Sequence, residues 1–179
     1  MDESEVARLV LESRQGSAEA FEGLVSVYQK PIFNVAYRIL NDYEDARDVT
    51  QNVFLKVYEN LERYDKKYRF FSWIYRIAVN ESVNLRAAKR SQENIDHAKI
   101  KESHTPEKAL NQRELDESIQ SALMSLGIDY RIVIVLRHFN HCSYKDMSEI
   151  LEIPEKTVKS RLFTARSLLR ESLSGMGVL

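Results

Sequence analysis

Hydrophobic residues recur at every third or fourth position along most of this chain, which is the spacing of one face of an α-helix. In the first half, Ser17 precedes one such stretch and Pro31 starts or kinks the next. A further helix is predicted for residues 44–61. A loop at residues 64–67 separates it from a long helix over residues 68–90. The first half of the chain is therefore predicted to be helical.

The helical pattern is lost in residues 91–105 and resumes beyond Pro106. The intervening segment has too few apolar side chains to bury much surface, so it is expected to form a linker with little intrinsic fold. The next helix continues to Leu126, and Gly127 is expected to follow it at the position that ends a helix. Residues 130–136 are rich in β-branched side chains and fit either a buried strand or a helix. A helix is favoured because the chain offers no second strand to pair with it.

Residues 143–173 have the pattern of a short helix, a tight turn and a longer second helix. Ser143 and Asp146 have the spacing of a capping box, and Pro154 cannot lie inside a helix. This is the pattern of a helix-turn-helix, whose second helix enters the DNA major groove, although any helical hairpin shares the spacing. The apolar stripe of the second helix comprises Val158, Leu162, Ala165 and Leu169. Its opposite face and flank carry Lys156, Lys159, Ser160, Phe163, Thr164, Arg166 and Ser167.

These patterns predict an all-α fold of two small helical domains joined by a flexible linker, the second domain containing the helix-turn-helix. The predicted domains are residues 1–90 and 111–179, with the linker at residues 91–110. A chain of 179 residues with 44% hydrophobic residues is large enough to form two such cores.

Charge is distributed unevenly, although the net charge is only −1. Acidic residues concentrate before residue 50, and basic residues concentrate in residues 63–90 and 156–170. An acidic patch beside two basic ones suggests a protein partner in addition to a polyanion. The basic segment at residues 68–90 also carries five aromatic side chains and the amides Asn80 and Asn84. Positive charge holds phosphates, aromatic faces stack on unpaired bases and asparagine contacts base edges, so this segment is predicted to bind opened nucleic acid.

Other classes of protein find little support in the sequence. Cys142 is the single cysteine, which excludes an internal disulfide and fits a cytoplasmic protein, and neither a secretion signal nor a membrane span is visible. His138, His141 and Cys142 are metal-ligand types, but no fourth ligand is apparent, so they are interpreted as ordinary residues. No phosphate-binding glycine loop and no nucleophile–base pair stands out. We therefore expect no enzymatic activity, no cofactor and no metal.

Three motifs in order resemble the bacterial sigma factors of the extracytoplasmic-function group. DARDVTQNVFLKVYENL resembles their helix that binds core RNA polymerase, and RFFSWIYRIAVNESVN resembles their helix that melts and contacts the minus-ten element. SYKDMSEILEIPEKTVKSRLFTARSLLRESL resembles their domain for the minus-thirty-five element. The resemblance covers nearly the whole chain. It implies a cytoplasmic transcription initiation factor of a stress response, and it implies regulation by an anti-sigma factor that can be linked to the membrane.

The resemblance also implies a role for particular residues. Those expected to contact core polymerase are Asp48, Gln51, Asn52 and Leu55. Those expected to contact minus-ten DNA are Tyr64, Lys66, Trp73, Arg76, Asn80 and Asn84, with the loop at residues 64–67 holding a flipped base. Those expected to contact minus-thirty-five DNA are Lys156, Thr157, Lys159, Ser160, Phe163, Thr164 and Arg166. At two of these positions the family often has other residues, glycine at Lys156 and arginine at Thr164, so the minus-thirty-five preference is expected to differ.

Two alternatives stay open at this point. A free-standing helix-turn-helix regulator would need only the C-terminal domain. An enzyme acting on nucleic acid would use the acidic cluster at residues 42–48 to hold a cation, although a helix dipole and a basic partner explain these acids better. Within the basic segment, Phe71, Ile74 and Ala78 are expected to belong to the core, whereas the pattern does not decide whether Trp73 packs or stacks.

Overall fold

Every regular element of the described residues is helical in the computed structural model, which describes residues 2–93 and 110–178. The predicted all-α fold is confirmed. The predicted linker falls largely on residues 94–109, outside the described residues. The helices are α1 Glu3–Arg14, α2 Ala18–Leu40, α3 Tyr43–Asn60, α4 Phe70–Glu93, α5 Leu110–Ser125, α6 Ile128–Ile134, α7 Tyr144–Leu151 and α8 Glu155–Gly175, with a 3₁₀ turn at Leu61–Arg63 and a π-helical turn at Val135–Phe139.

Helix α1 was not predicted, although its sequence carries a start signal. The Asp2 carboxylate accepts a hydrogen bond from the Glu5 backbone N–H at 2.9 Å, and the Glu5 carboxylate accepts one from the Asp2 N–H. This reciprocal capping box satisfies N–H groups that a helix start leaves without intrahelical partners. Val6, Leu9 and Val10 then bury one face against the rest of the N-terminal region.

Helix α2 is a single helix that contains Pro31, where the sequence suggested two segments. Proline removes one intrahelical hydrogen bond, but the apolar stripe continues unbroken on both sides of it. Leu24, Ile32, Val35 and Ile39 along this stripe are fully or almost fully buried. The shared core therefore holds the two halves together as one element.

Helices α3 and α4 pack against α2 and complete the N-terminal core. Asp42 caps α3 through a hydrogen bond from the Asp45 N–H to its carboxylate, so the helix begins at Tyr43 rather than at Glu44. Ile74 and Ala78 of α4 are buried as expected. The positions that helical spacing predicts to face inward in residues 44–61 are buried too: Ala46, Val49, Val53, Val57 and Leu61. Helix α4 runs on to Glu93, three residues beyond the predicted end of the first domain.

In the C-terminal half, residues 130–136 are helical as predicted, because α6 is followed directly by the π-helical turn. Gly127 has an ordinary negative φ of −55° and caps the start of α6. Gly127 is the second residue after the end of α5 at Ser125, which is the predicted position, but it does not adopt the left-handed conformation usual there because it is also the N-cap of the next helix. Ser143 and Asp146 form the predicted capping box at the start of α7.

The two halves contact each other along α2 and α4 on one side and α5, α6 and α7 on the other. The side chain of Arg131 on α6 is wholly buried at this boundary and donates hydrogen bonds to four backbone carbonyls. Three of these carbonyls end α5, and the fourth, at 2.6 Å, is that of Ile39 near the end of α2. Helix C-termini carry partial negative charge, so one guanidinium binds the ends of two helices from different halves.

Candidate functional site

The outer face of α3 presents the side chains that the sequence assigned to a protein partner. Asp48, Gln51, Asn52 and Leu55 are all exposed there. A groove of about 460 Å³ lies beside them between α2 and α3. Its walls are Phe21, Val25, Gln29, Thr50, Gln51, Phe54, Leu55 and Tyr58. An apolar groove with a polar rim is the composition expected of a protein-binding surface.

Tyr58 is the residue of this surface that the sequence analysis missed. It is 68% exposed, more than Leu55 at 59%, and its ring meets that of Phe21 edge-on at 5.3 Å. It lies seven residues after Gln51 and three after Leu55, which is the helical spacing of one face. Extending the predicted face by one turn would therefore have found it.

An aromatic cluster supports the loop at residues 64–67. Tyr64 is buried and packs against Phe70 and Trp73, with ring centroids 5.5 and 5.1 Å away. Its hydroxyl donates a 2.6 Å hydrogen bond to the Tyr68 carbonyl across the loop. Burial raises the pKa of Tyr64 above its ordinary value. Trp73, which the sequence left undecided, is half-buried in this cluster.

Beyond this cluster, a cavity of about 780 Å³ opens between α1 and the start of α4. Basic and aromatic side chains line it on the loop side, among them Lys66, Lys67, Tyr68 and Arg69. Lys66 is exposed, whereas Arg69 binds the Glu3 carboxylate of α1 at 2.7 Å. The predicted flipped-base loop therefore borders a space with aromatic faces and lysines on the loop side, the two features that hold an unpaired base, and with the acids Asp2 and Glu3 on the α1 side.

Helix α4 exposes its two predicted amides. Asn80 and Asn84 lie one turn apart on the solvent face. The side of the helix toward α3 is anchored by ion pairs, with Glu81 bound to Lys56 at 2.6 Å and Lys89 bound to Asp45. The buried side chains Ile74, Ala78 and Ser82 hold the inner face of α4 against the core, so both amides point outward.

Arg76 and the N-terminal part of α4 face the C-terminal half instead of solvent. Arg76 binds Glu152 at 2.6 Å, and Tyr75 is buried with its hydroxyl donating to the Asn140 side chain at 3.3 Å. Burial raises the pKa of Tyr75 well above its ordinary value, and it raises the pKa of the Cys142 thiol to about 12. The sequence offered no sign of this contact.

Helix α8 presents an open face, and its predicted DNA-facing residues are accessible. Phe163 is 79% exposed, and the exposed set also includes Lys156, Lys159, Ser160 and Arg166. Thr157 and Thr164 are half-buried on the same helix. Arg166 donates a 3.3 Å hydrogen bond to the His138 imidazole, and burial lowers the pKa of that histidine, so it is neutral near pH 7.

Among residues 2–93 and 110–178, no group of three or more histidine, cysteine or acidic side chains could hold a metal ion. The acidic residues near the start of α3 serve as a cap and in ion pairs instead, such as Arg47 with Glu44 at 2.5 Å. A search of the same residues for a helix able to cross a membrane gave none.

Two family models match the chain in the order of the two halves. The model for sigma-70 region 2 matches residues 24–92, which contain α3 and α4. The model for sigma-70 region 4 matches residues 116–169, which contain the helix-turn-helix. The match to region 2 disfavours the free-standing helix-turn-helix regulator, because such a protein would need only the second half of the chain.

Similar proteins have the same extent. The chain is 30% identical to the ECF RNA polymerase sigma factor SigW of Bacillus subtilis, over 94% of this chain and 96% of that protein. It is 31% identical to the RNA polymerase sigma-H factor of Pseudomonas aeruginosa, over 93% and 92%. It is 32% identical to the ECF RNA polymerase sigma-E factor of Haemophilus influenzae, over 92% and 93%.

Solved structures share the fold. One is CnrH in complex with the cytosolic domain of CnrY, with a TM-score of 0.74 and 22% identity over 97% of both chains. Another is the sigma factor RpoE in complex with the anti-sigma factor NepR from Bartonella quintana, with a TM-score of 0.73 and 22% identity over 88% of this chain and 98% of that one. Both family models and the relatives agree, so this chain belongs to the extracytoplasmic-function sigma factors, which direct RNA polymerase to promoters.

Proposed function

We propose that this sigma factor binds core RNA polymerase through the groove between α2 and α3. The observation that carries the proposal is the exposure of two large apolar side chains, Leu55 and Tyr58, next to Asp48, Gln51 and Asn52. Both side chains lie outside the core of the described structure, so they are available to contact a partner. A partner helix that covers the groove would bury them, while the polar residues at the rim make hydrogen bonds.

A charge placed in the groove tests this assignment. Leu55→Asp should weaken binding to purified core polymerase by roughly 30- to 1,000-fold, because the contact loses a buried leucine and must desolvate a carboxylate, about 2–4 kcal/mol in total. Competition against a fluorescent sigma factor measures the affinity. Leu115→Asp is the matched control, since that leucine is also exposed but lies on α5. Equal losses in both variants would reject the groove as the polymerase site.

We further propose that α4 and the loop before it bind the opened minus-ten strand. Asn80 and Asn84 contact base edges, and Lys66 binds a phosphate beside the cavity, which receives a flipped base. Tyr64 and Trp73 position the loop, a role supported by the burial of Tyr64 and its hydrogen bond to Tyr68. Trapping unpaired bases shifts the duplex equilibrium toward the open state without any covalent step.

Helix α8 is proposed to bind the minus-thirty-five element in the major groove. Its N-terminal residues approach the bases: Lys156, Thr157, Lys159, Ser160, Phe163, Thr164 and Arg166. The exposure of Phe163 supports this role, because an apolar side chain there suits a thymine methyl group. Thr164 has a single donor and cannot bind both acceptors of a guanine, as the family's arginine would, so the preferred element should differ at that base pair.

We propose that the chain acts by binding alone and carries no enzymatic activity. Its partners are core polymerase, promoter DNA and an anti-sigma factor, the last because structures with its fold were solved in complex with such proteins. The division of labour follows the proposed boundaries, with residues 1–90 serving polymerase and the minus-ten element, 91–110 as linker and 111–179 serving the minus-thirty-five element.

Runoff transcription with purified components tests the function as a whole. The chain and core polymerase are incubated with a library of genomic promoter fragments, and specific transcripts are sequenced. We expect starts downstream of a shared pair of elements. Absence of any specific start, with core binding intact, would contradict the promoter assignments.

A further inference from the structure

Two ridges of opposite polarity meet where the N-terminal half contacts α7. One ridge is Arg69, just before α4, with Ser72 and Arg76 on the helix, and the other consists of three acidic residues spaced three apart at α7. The pairs are Arg69–Asp146 at 3.0 Å, Ser72–Glu149 at 2.7 Å and Arg76–Glu152 at 2.6 Å. Every acid on this ridge therefore has its own donor, in register, from the opposite half of the molecule.

The basic ridge belongs to the same helix that is proposed to bind the opened strand. Arg76 is one turn before Asn80, and Arg69 lies beside the flipped-base cavity. A DNA phosphate and a carboxylate both bind a guanidinium through charge-assisted hydrogen bonds. The acids of α7 therefore occupy donors that a DNA backbone passing along α4 would use.

The closed arrangement also conflicts with binding both promoter elements. The minus-ten and minus-thirty-five elements are named for positions about 25 base pairs apart, which corresponds to roughly 85 Å of straight duplex. In the structure, α7 bonds directly to α4, and α8 begins three residues after Glu152. From Asn84 through this contact to Arg166, the chain spans at most about 55 Å. The two halves must separate before both elements are held.

We propose that the acidic ridge of α7 is an autoinhibitory latch that keeps α4 from minus-ten DNA in the free chain. This inference rests on the proposed role of α4. The latch is Asp146, Glu149 and Glu152 on one side, with Arg69, Ser72 and Arg76 on the other. Its competitor is the phosphate backbone of promoter DNA presented on core polymerase.

The contact has features of a latch that can be released. Exposed ion pairs stabilise a contact only modestly, and Glu152 and Arg69 are both largely accessible. The Arg76 Nε is buried in the described structure without any hydrogen-bond partner, and such a group destabilises the state that buries it. Separation would let water or a phosphate satisfy it.

Closure can be measured without polymerase or DNA. Spin labels on Ser26→Cys in α2 and Ser174→Cys in α8, both exposed, report the distance between halves by pulsed electron resonance. Cys142, which is buried beside Tyr75 at the boundary, is replaced by alanine in every labelled chain so that it cannot be labelled when the halves separate. The latch variant is Glu149→Gln with Glu152→Gln. Its matched control is Glu117→Gln with Glu171→Gln, which removes the same charge from exposed sites of the same half.

We expect one short distance in the labelled parent chain and in the control, and a broad, longer distribution in the latch variant. The swap Arg76→Glu with Glu152→Arg should restore the short distance that Arg76→Glu alone removes. A second readout is affinity for a fluorescent single-stranded oligonucleotide pool of about 12 nucleotides. The latch variant should bind roughly threefold to tenfold more tightly, because a larger fraction of it is open.

Identical distance distributions in the parent and the latch variant would overturn the proposal. An opened variant that binds the oligonucleotide no better would also overturn it, because the contact would then be structural and not inhibitory. The distance readout does not depend on the proposed function. If the latch variant opens but no variant supports transcription with core polymerase, the proposed function fails and the latch does not.

Discussion

Helices α4 and α8 are the two proposed DNA-binding helices, and they differ in how far the rest of the chain covers them. Helix α8 offers most of its polar face to solvent, with Phe163 79% exposed. Helix α4 has Asn80 and Asn84 free, while Arg76 and Tyr75 at its start are bound by the other half. In this arrangement the proposed minus-thirty-five surface is accessible and the proposed minus-ten surface is partly covered.

This difference shows that a basic sequence does not by itself make a free basic surface. Lys89 binds Asp45, Arg76 binds Glu152, and Arg69 is shared between Glu3 and Asp146. Much of the positive charge of residues 68–90 is therefore paired with acidic residues of the same molecule. Access to its remaining donors depends on how the halves are arranged.

The largest expected effect comes from removing the guanidinium that joins the halves. Arg131→Met should lower the free energy of unfolding by about 3 kcal/mol or more, because four buried carbonyls lose their donor. Urea denaturation followed by circular dichroism measures the change. Arg161→Met is the control, since Arg161 is partly exposed and pairs with Asp129 at 3.5 Å. If both variants unfold alike, Arg131 does not hold the boundary together.

Alkaline pH should also destabilise the contact between the two halves. The Cys142 thiol has its pKa raised from an ordinary 9.0 to about 12, and the pKa of Tyr75 is raised beside it. A group with a raised pKa in the fold stabilises it fully below the unfolded pKa, and this contribution falls as pH rises toward the folded pKa.

Stability should therefore fall between pH 9 and 12, by about 1.4 kcal/mol per pH unit for the thiol alone. Urea midpoints at pH 8 and pH 11 measure this loss. Cys142→Ala should reduce the slope, because the thiol no longer titrates. Unchanged midpoints across this range would mean that the Cys142 thiol and the Tyr75 hydroxyl are less buried in solution than in the structure.

The exposed amides of α4 should matter for opening and not for assembly. Asn80→Ala should reduce open-complex formation about tenfold, since losing a good base contact costs about 1–3 kcal/mol. Permanganate reactivity of unpaired thymines measures opening, and affinity for core polymerase should stay unchanged. Asn34→Ala removes an equally exposed amide from α2 and serves as the control. Equal loss of core binding and opening would contradict the assignment.

The smallest effect is expected on the open face of α8. Lys159→Ala should weaken holoenzyme binding to a promoter duplex by roughly threefold, and it should lower the slope of log affinity against log salt by about one. Filter binding across a salt series measures both values. Lys145→Ala, on the exposed side of α7, should leave the slope unchanged. A salt slope that does not respond to Lys159 would remove it from the phosphate contacts.

Much of the fold was predictable because helices depend on local spacing. The inward positions of α3 and the capping box of Ser143 followed from residues within a few positions of each other. The helix at residues 130–136 followed instead from the lack of a second strand in the sequence, because its local pattern also fits a strand. The same local reasoning did not predict α1, although Asp2 and Glu5 have the spacing of a capping box, and it did not predict that Gly127 caps the helix after it.

The candidate surfaces were less complete. The pattern predicted Leu55 but not Tyr58, and it assigned Tyr64 to DNA, although that side chain is buried in an aromatic cluster. Periodicity assigns a residue to a face of its helix. It does not say whether a neighbouring element covers that face.

The sequence by itself determined the all-α class, the order of the motifs and the family, because each is encoded in short stretches whose spacing survives without knowledge of packing. Only the tertiary structure decided which charges are free. The pairs Ser72–Glu149 and Arg76–Glu152 join residues more than seventy positions apart, and buried Arg131 reaches Ile39 across the boundary. Such contacts depend on how two helical units dock. Docking is determined by complementary surfaces, which the local spacing of hydrophobic residues does not reveal.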